Sequence, residues 1–303
     1  MTEKLPRDYL DYPKRRYGQD QDRYQWYYKS GPTPKDTPST ASIALLIPVE
    51  RFVLNPAGVP FRAPGSMVTQ YPDLRHYTSR NYGNRIGVYR LLKVLRSLSL
   101  PATFVVNASL LNHVAPLIDS IKNDGHEIAA LGLDMDKIHW DELDPKTENQ
   151  WIQETRDLFS KLNLHPTSWM SPARQQSTRT LDLIAEHEFK TCLDWEFDCT
   201  PMPMKTNHGD VTMIPNLNEL DDRKIFIEKR HSEDAWATQI IEAVEYSSSI
   251  AITSSPQGFA FTLTPYISGL PFRIKAIAKT LAHLKTVANF VTAEEMACSS
   301  SCA

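Results

Sequence analysis

Short apolar segments alternate with amphipathic segments along most of this 303-residue chain, and this alternation constrains its fold more than any other feature. Typical apolar segments are IALLIPV (43–49) and FAFTLTP (259–265). Between them lie stretches with helical spacing, such as RIGVYRLLKVLRSLSL, in which Val88, Leu91 and Leu95 recur every three or four residues. Buried strands that alternate with helices are typical of parallel sheets with helical crossovers.

Seven or eight such strands are predicted, so we expect an α/β fold of the (β/α) barrel type rather than an open sheet. In a barrel the carboxyl ends of the strands converge on one face. We predict one barrel domain over residues 41–303, with a long loop from the first strand to about residue 84. Residues 1–40 are rich in tyrosine and proline and predict an N-terminal arm that lies across the domain or a partner subunit.

Charge and composition exclude several classes of partner. The net charge of −3 does not favour nucleic acid or anionic lipid, and no apolar run is long enough to span a membrane. The charged N-terminus resembles no export signal, so we expect a cytoplasmic protein. Four cysteines without a C-x-x-C pair predict free thiols rather than a zinc module.

The predicted strand ends bring carboxylates, amides and an aromatic side chain to one face of the barrel. His76 lies in the predicted long loop, from which it could reach this barrel mouth, whereas the other histidines lie elsewhere. No nucleophile elbow, P-loop or dinucleotide motif is present. The side chains at or just beyond the strand ends are those of Glu50, Asn107, Leu131, Met170, Asp194, Trp195, Asp198 and Thr264.

Several stretches, in this order, resemble the polysaccharide deacetylase superfamily. They are NYGNRIGVYRLLKVLRSLSLPATFVVNASLL, GHEIAALG, SWMSPARQQSTRTLDLIAEHEF, LDWEFD and LTPYISGLPFRIKAI. The likeness runs from about residue 43 to 295 and is closest to the branch with allantoinase-like and cyclic-imide-hydrolase-like enzymes. It implies a distorted β/α barrel that hydrolyses C–N bonds, usually with a divalent metal, and it places Arg80 at the barrel mouth or a subunit contact.

The resemblance assigns roles to positions at which this chain carries inert side chains. The two metal-binding histidines of the family motif correspond to Leu131 and Met135, and the general-acid histidine corresponds to Thr264. The family's strand-four arginine falls at Met170. Glu50 is the plausible match for the catalytic group at the end of strand one.

Asp194 and Trp195, with Asp198 beyond, match the Asp-Trp…Asp element of the ureide branch. These matches leave three carboxylates, Glu50, Asp194 and Asp198, as tentative catalytic residues. A pocket around them is expected to include the remaining strand-end residues together with Met135, Arg80 and His76.

Loss of these groups bears directly on hydrolysis. A bound Zn²⁺ lowers the pKa of its water from about 15.7 to about 7, and Leu and Met offer no hard donor that could hold such an ion. We therefore expect neither a bound metal nor another cofactor. Asp134, Asp136 and His139 could form a displaced carboxylate–histidine metal site, but the sequence favours a solvated loop there.

Two functions remain open from the sequence. The first is a non-catalytic, deacetylase-like protein that binds a small ligand at its mouth or acts as a homo- or hetero-oligomeric partner of deacetylase-like subunits. The second is an active, metal-independent hydrolase of a small ureide, cyclic imide or acetylated sugar that uses Glu50, Asp194 and Asp198. Deacetylation of an extracellular glycan is the weakest alternative, because no export signal is apparent.

Overall fold

A computed structural model describes residues 23–24, 39–57, 70–251 and 257–300. Its centre is a sheet whose parallel strands curl into a barrel, and each strand buries apolar side chains because both faces are covered. The strands are β1 (Ser42–Val49), β2 (Thr103–Val106), β3 (Glu127–Ala130), β4 (Ser168–Trp169), β5 (Thr191–Cys192), β6 (Met202–Met204), β7 (Val211–Met213), β8 (Gly258–Thr262) and β9 (Asn289–Val291).

The sheet order is β6-β7-β5-β4-β3-β2-β1-β8, and all pairs are parallel except β6 with β7. The chain just after β7 joins the two ends of this order. The amide of Ala260 in β8 donates to the carbonyl of Pro215 at 2.7 Å, and the amide of Leu217 donates to the carbonyl of Ala260 at 2.8 Å. Strand β9 lies off this path and pairs in parallel with β1. The predicted α/β barrel is therefore confirmed as a curled, distorted barrel.

Helices cover the outside of the barrel and join the strands. They are α1 (Leu74–Tyr82), α2 (Val88–Leu98), α3 (Ala115–Asn123), α4 (Pro145–Ser160), α5 (Thr180–Glu186), α6 (Glu233–Ile250), α7 (Pro265–Ser268), α8 (Ile274–Leu284) and α9 (Ala293–Ser300). Two of them have cap residues that are recognisable in the sequence. The side chain of Asp144 accepts a hydrogen bond from the amide of Thr147, and Gly125 adopts φ +75° just after α3.

The prediction of a long loop from the first strand to about residue 84 is wrong in part. The segment before residue 84 is not a loop throughout, because residues 74–82 form α1 and continue through a π-helical stretch, Gly83–Gly87, into α2. His76 therefore lies in a helix and not in a loop. The side chain of Asp73 caps this helix by accepting from the amide of His76 at 3.0 Å, and its other oxygen lies 2.5 Å from Nδ1 of His76.

Helix α9 closes the amino end of the barrel. Ala293, Met296 and Ala297 are buried with the inward side chains of β1 and β2. The carboxylate of Glu127, at the start of β3, accepts from Thr103 Oγ1 at 2.7 Å and from the amide of Glu294 at 3.1 Å. Burial raises the pKa of Glu127 above its ordinary value despite these hydrogen bonds. Within the described residues, helix α9 therefore covers this end of the barrel interior.

Most of the predicted N-terminal arm lies outside the described residues, but Arg23 and Tyr24 pack on the domain. Arg23 Nη2 lies 2.7 Å from Asp182 Oδ2, and the ring of Tyr24 lies 5.1 Å from that of Phe197. Among the described cysteines, Cys192, Cys199 and Cys298 are free thiols, as expected. Within the described ranges, no helix is long and apolar enough to cross a membrane.

Candidate functional site

A cavity of about 220 Å³ opens at the carboxyl ends of the strands. Its floor consists of Leu131, Met135 and Met170, which are 2%, 3% and 5% exposed and belong to the apolar cluster that fills the barrel interior. Leu131 and Met135 follow β3, and Met170 follows β4. The three side chains predicted at strand ends therefore come together, and they present carbon and sulfur to the cavity at the positions where the family resemblance implies polar groups.

Glu50 lines the cavity directly after β1, and it is ion-paired. Arg223 Nη2 lies 3.0 Å from Oε1 and 3.1 Å from Oε2 of Glu50, and it also donates to the hydroxyl of Tyr266 at 3.0 Å. Burial alone would lower the pKa of Arg223, but the charge of Glu50 raises it above its ordinary value. Burial raises the pKa of Tyr266 to about 12, so this hydroxyl is neutral.

Two buried aspartates precede Arg223 in the chain and bind the backbone of the segment around β8. Asp221 lines the cavity and accepts from the amide of Thr262 at 2.7 Å, whereas Asp222 accepts from the amide of Thr264 at 2.7 Å and from Ser268 Oγ at 2.6 Å. Burial raises the pKa of Asp221 to about 7 and that of Asp222 to about 6. Asp221 is therefore a titratable carboxyl beside the cavity near neutral pH.

Thr264 also lines the cavity and is 1% exposed. Its hydroxyl has no hydrogen-bond partner within the described part of the chain. A threonine hydroxyl can donate one hydrogen bond and accept others, so this group could bind a ligand atom but is too weakly acidic for general-acid catalysis.

Asp194 does not line the cavity, but it is hydrogen-bonded to Ser171, which does. Its carboxylate accepts from the amide of Ser171 at 2.8 Å and from Nε2 of Gln176. Burial raises its pKa, and these two donors oppose the rise. Both oxygens therefore hold the loop after β4 in place, which is the structural role of a buried, hydrogen-bonded carboxylate.

Asp198, Trp195 and Asn107 also occupy positions away from the cavity. Asp198 Oδ1 accepts from the amide of Cys199 at 2.6 Å, and Trp195 lines a separate surface pocket. The side chain of Asn107 ties two strand ends together, because its Oδ1 accepts from the amide of Arg51 at 2.7 Å and its Nδ2 donates to the carbonyl of Leu131. These three side chains therefore do not line the cavity with Glu50, although the sequence had grouped them with it.

A second cavity of about 210 Å³ adjoins the first at Glu50. Arg80 of α1 lines it, with its guanidinium carbon 4.0 Å from the centre of the Phe52 ring. Arg51, Asn81 and His113 are among its other lining residues. His76 lines neither cavity; its ring is bound to Asp73 instead.

The residues present at the barrel mouth do not fit the divalent metal that the resemblance implies. Leu131 and Met135 carry no hard donor, and the carboxylate of Glu50 is neutralised by Arg223. Within the described residues, no three His, Cys, Asp or Glu side chains form a group that could hold a metal ion.

The displaced site considered at Asp134, Asp136 and His139 is not assembled either. His139 Nδ1 lies 3.3 Å from Oε1 of Glu148, between the rings of Trp151 and Trp169. Asp134 instead accepts from the amide of Asp136. This loop is therefore held to the barrel wall by a buried hydrogen bond between His139 and Glu148.

Sequence reasoning missed four polar residues of the site. The segment ELDDRK, after the predicted sixth strand, supplies Asp221, Asp222 and Arg223, and its acidic pair next to a cation in an apolar context was the available signal. Arg174 has φ +56° and donates to the carbonyls of Asp194 and Asn216 at 3.0 and 2.6 Å. It also lies 3.6 Å from Asp221 Oδ2, so a second arginine borders the cavity.

The predicted family resemblance is supported by comparison with known proteins. Residues 81–192 match the family model described as polysaccharide deacetylase. This region runs from the end of α1 to the end of β5 and therefore includes Leu131, Met135 and Met170. Comparison with curated proteins finds no match.

Solved structures share the fold over most of the chain. A probable polysaccharide deacetylase from Pseudomonas aeruginosa PAO1 has a TM-score of 0.74 at 18% identity, over 86% of this chain and 90% of that one. The allantoinase PuuE also has a TM-score of 0.74, at 17% identity, over 86% of this chain and 89% of that one. The Bacillus anthracis protein BA3943, a CE4 family pseudoenzyme, has a TM-score of 0.52 at 12% identity, over 86% of this chain and 66% of that one.

Proposed function

We propose that this protein is a polysaccharide-deacetylase-like barrel that has lost metal-dependent C–N bond hydrolysis and that binds a small molecule at its mouth. The ion pair of Glu50 with Arg223, directly beside an apolar floor, is the observation that carries this proposal. Among the described residues it leaves no group of side chains that could hold a metal, and both oxygens of Glu50 are already hydrogen-bonded. Action as a partner subunit of deacetylase-like chains remains part of the proposal.

The chemistry of the floor supports the loss of hydrolysis. Amide hydrolysis at neutral pH needs a strong nucleophile, which a metal supplies by lowering the pKa of its water to about 7. Leu131 and Met135 cannot replace that effect, and both oxygens of Glu50 already accept hydrogen bonds from the guanidinium of Arg223. The pseudoenzyme among the similar structures is a precedent for this fold without the usual activity.

An active, metal-independent hydrolase is a second candidate, and one observation favours it. Asp221 lines the cavity, and burial raises its pKa to about 7, the range in which a carboxylate works best as a general base at neutral pH. This residue would then take the role that the sequence assigned to Glu50, Asp194 and Asp198.

One experiment separates the two candidates. The purified protein is analysed for metal by mass spectrometry and assayed with acetylated chitooligosaccharides, ureides and cyclic imides, each with and without added Zn²⁺. We expect less than stoichiometric metal and no turnover above background. Turnover that survives a chelator and is lost in Asp221→Asn would support the metal-independent hydrolase. Stoichiometric metal with metal-dependent turnover would refute both candidates.

A further inference from the structure

We propose that the second cavity, between Arg80 and Glu50, binds the carboxylate group of a small organic acid, while the uncharged remainder of that molecule extends over the floor of Leu131 and Met135. This inference deepens the proposed binding role and rests on it. It assigns a ligand class to the barrel mouth, with Arg80 as the main anion-binding residue.

The charges around the second cavity favour an anion. Arg51, Arg80 and His113 line it, and Glu50 is the acidic side chain among its described lining residues. That carboxylate is already neutralised by Arg223 on the side of the first cavity. No ion pair involves Arg51, Arg80 or His113 within the described ranges, so the cavity carries an excess of positive charge in a partly enclosed space.

Arg80 is held ready to bind an anion. Its guanidinium carbon lies 4.0 Å from the centre of the Phe52 ring, and the side chain lines the cavity. The guanidinium of Arg80 donates no hydrogen bond to any described residue. A stacked guanidinium with its donors unused matches the geometry of a carboxylate, which accepts two parallel hydrogen bonds.

Neutral donors complete the lining. The hydroxyl of Tyr77 and the amide of Asn81 both line the cavity, and neither side chain makes a hydrogen bond with another part of the described structure. Tyr77 lies one helical turn before Asn81 on α1, so the two side chains lie on the same face of the helix. The remaining lone pairs of a bound carboxylate would thus have partners besides the arginines.

The two cavities meet at Glu50, which lines both of them. Together they offer a cationic end and an apolar floor, with the unpaired hydroxyl of Thr264 beside that floor. This polarity fits a molecule with one anionic end and a compact uncharged body that carries an amide or a hydroxyl. It does not fit a long neutral glycan, because the cationic end would stay unpaired.

The test uses a matched pair of probes, N-acetylglycine and its neutral counterpart N-acetylglycinamide, in isothermal titration calorimetry with the full-length protein. We expect saturable binding of the acid and at least tenfold weaker binding of the amide. Arg80→Gln should weaken binding of the acid by about tenfold or more, because it removes a charge-assisted hydrogen bond. Arg85→Gln, an exposed arginine just beyond α1 that does not line the cavity, is the control and should bind as the parent does.

Inorganic phosphate forms a second arm of the titration. Binding of phosphate more tightly than N-acetylglycine would show that the ligand class is a phosphate and would overturn the assignment to a carboxylate. Absence of saturable binding by either anion, or equal binding by Arg80→Gln, would overturn the anion site itself. These outcomes leave the proposed loss of hydrolysis intact, because that proposal fails only if turnover is measured.

Discussion

The guanidinium of Arg223 lies within 3.1 Å of both carboxylate oxygens of Glu50, although 173 residues separate the two in sequence. Their side chains are only 20% and 7% exposed. The pair borders both cavities at the barrel mouth through Glu50, so it is the central electrostatic feature of the candidate site.

We expect Glu50→Gln to lower the free energy of unfolding by about 3 kcal/mol, because it leaves a buried guanidinium without its counter-ion. Arg223→Met should cost a similar amount for the converse reason. The double variant should lose less than the sum of the two, since it removes both charges together. Urea denaturation at pH 7 measures all three, and simple additivity would show that the two charges do not interact.

Asp221 should make stability depend on pH in an unusual direction. Its pKa is raised to about 7 in the folded protein, so the native state binds a proton that the unfolded chain has already released between about pH 4 and 7. Its contribution to stability is therefore fully present below pH 4 and is lost as pH rises through 7.

We expect the stability of the parent relative to Asp221→Asn to fall by on the order of 3 kcal/mol between pH 4 and pH 8. Asparagine keeps an acceptor for the amide of Thr262 but does not titrate. Urea denaturation across this range measures the difference, with the exposed Asp210→Asn as control. A constant difference would mean that Asp221 ionises normally in the folded state.

Glu148 should show the opposite dependence. Burial opposes its ionisation, but hydrogen bonds from His139, Thr180 and Ser177 together lower its pKa to about 2. The stability that it contributes is present above about pH 4.5, the ordinary pKa, and is lost as pH falls toward 2.

We therefore expect Glu148→Gln to cost about 3 kcal/mol at pH 7 and progressively less below pH 4.5. Chemical denaturation between pH 3 and pH 7 measures the change, and Glu154→Gln, an exposed position on the same helix, should have little effect. An equal cost at pH 3 and pH 7 would show that the ionisation of Glu148 does not contribute to stability.

Arg23 should anchor the segment before the barrel to α5. Besides its ion pair with Asp182, it donates to the carbonyls of Thr178 and Lys205 at 3.2 and 3.0 Å. We expect Arg23→Ala to lower the free energy of unfolding by about 1 to 2 kcal/mol. Asp182→Asn in the same background should add little, because both changes break one contact; additive losses would argue against the anchor.

Most of the barrel could be predicted from local patterns. The strands and the helices that follow them were recognised from apolar periodicity, because most strands are buried on both faces and most helices on one. Helix α1 was missed because it buries no residue and so shows no apolar stripe. The short antiparallel strand β6 was missed for a related reason, since a three-residue strand carries too little pattern.

The candidate site was only half predictable. The positions of Leu131, Met135, Met170, Thr264 and Glu50 beside one cavity follow from the rule that strand ends converge in a barrel. Their inert chemistry could be read directly from the residues. Asp194 and Asp198 are also carboxylates at or beyond a strand end, as Glu50 is. Their oxygens nevertheless accept hydrogen bonds from nearby loops and do not line the cavity.

The sequence alone determined that the chain forms a β/α barrel and that hydrophobic side chains stand at the strand ends where polar ones would be needed. Both are local properties, because periodicity and side-chain chemistry do not depend on distant residues. Only the tertiary structure decided which charges meet. Arg223 neutralises Glu50, whereas Arg80 lines a cavity. Barrel closure brings Glu50 and Arg223 together from distant parts of the chain, and no local sequence pattern predicts such a contact.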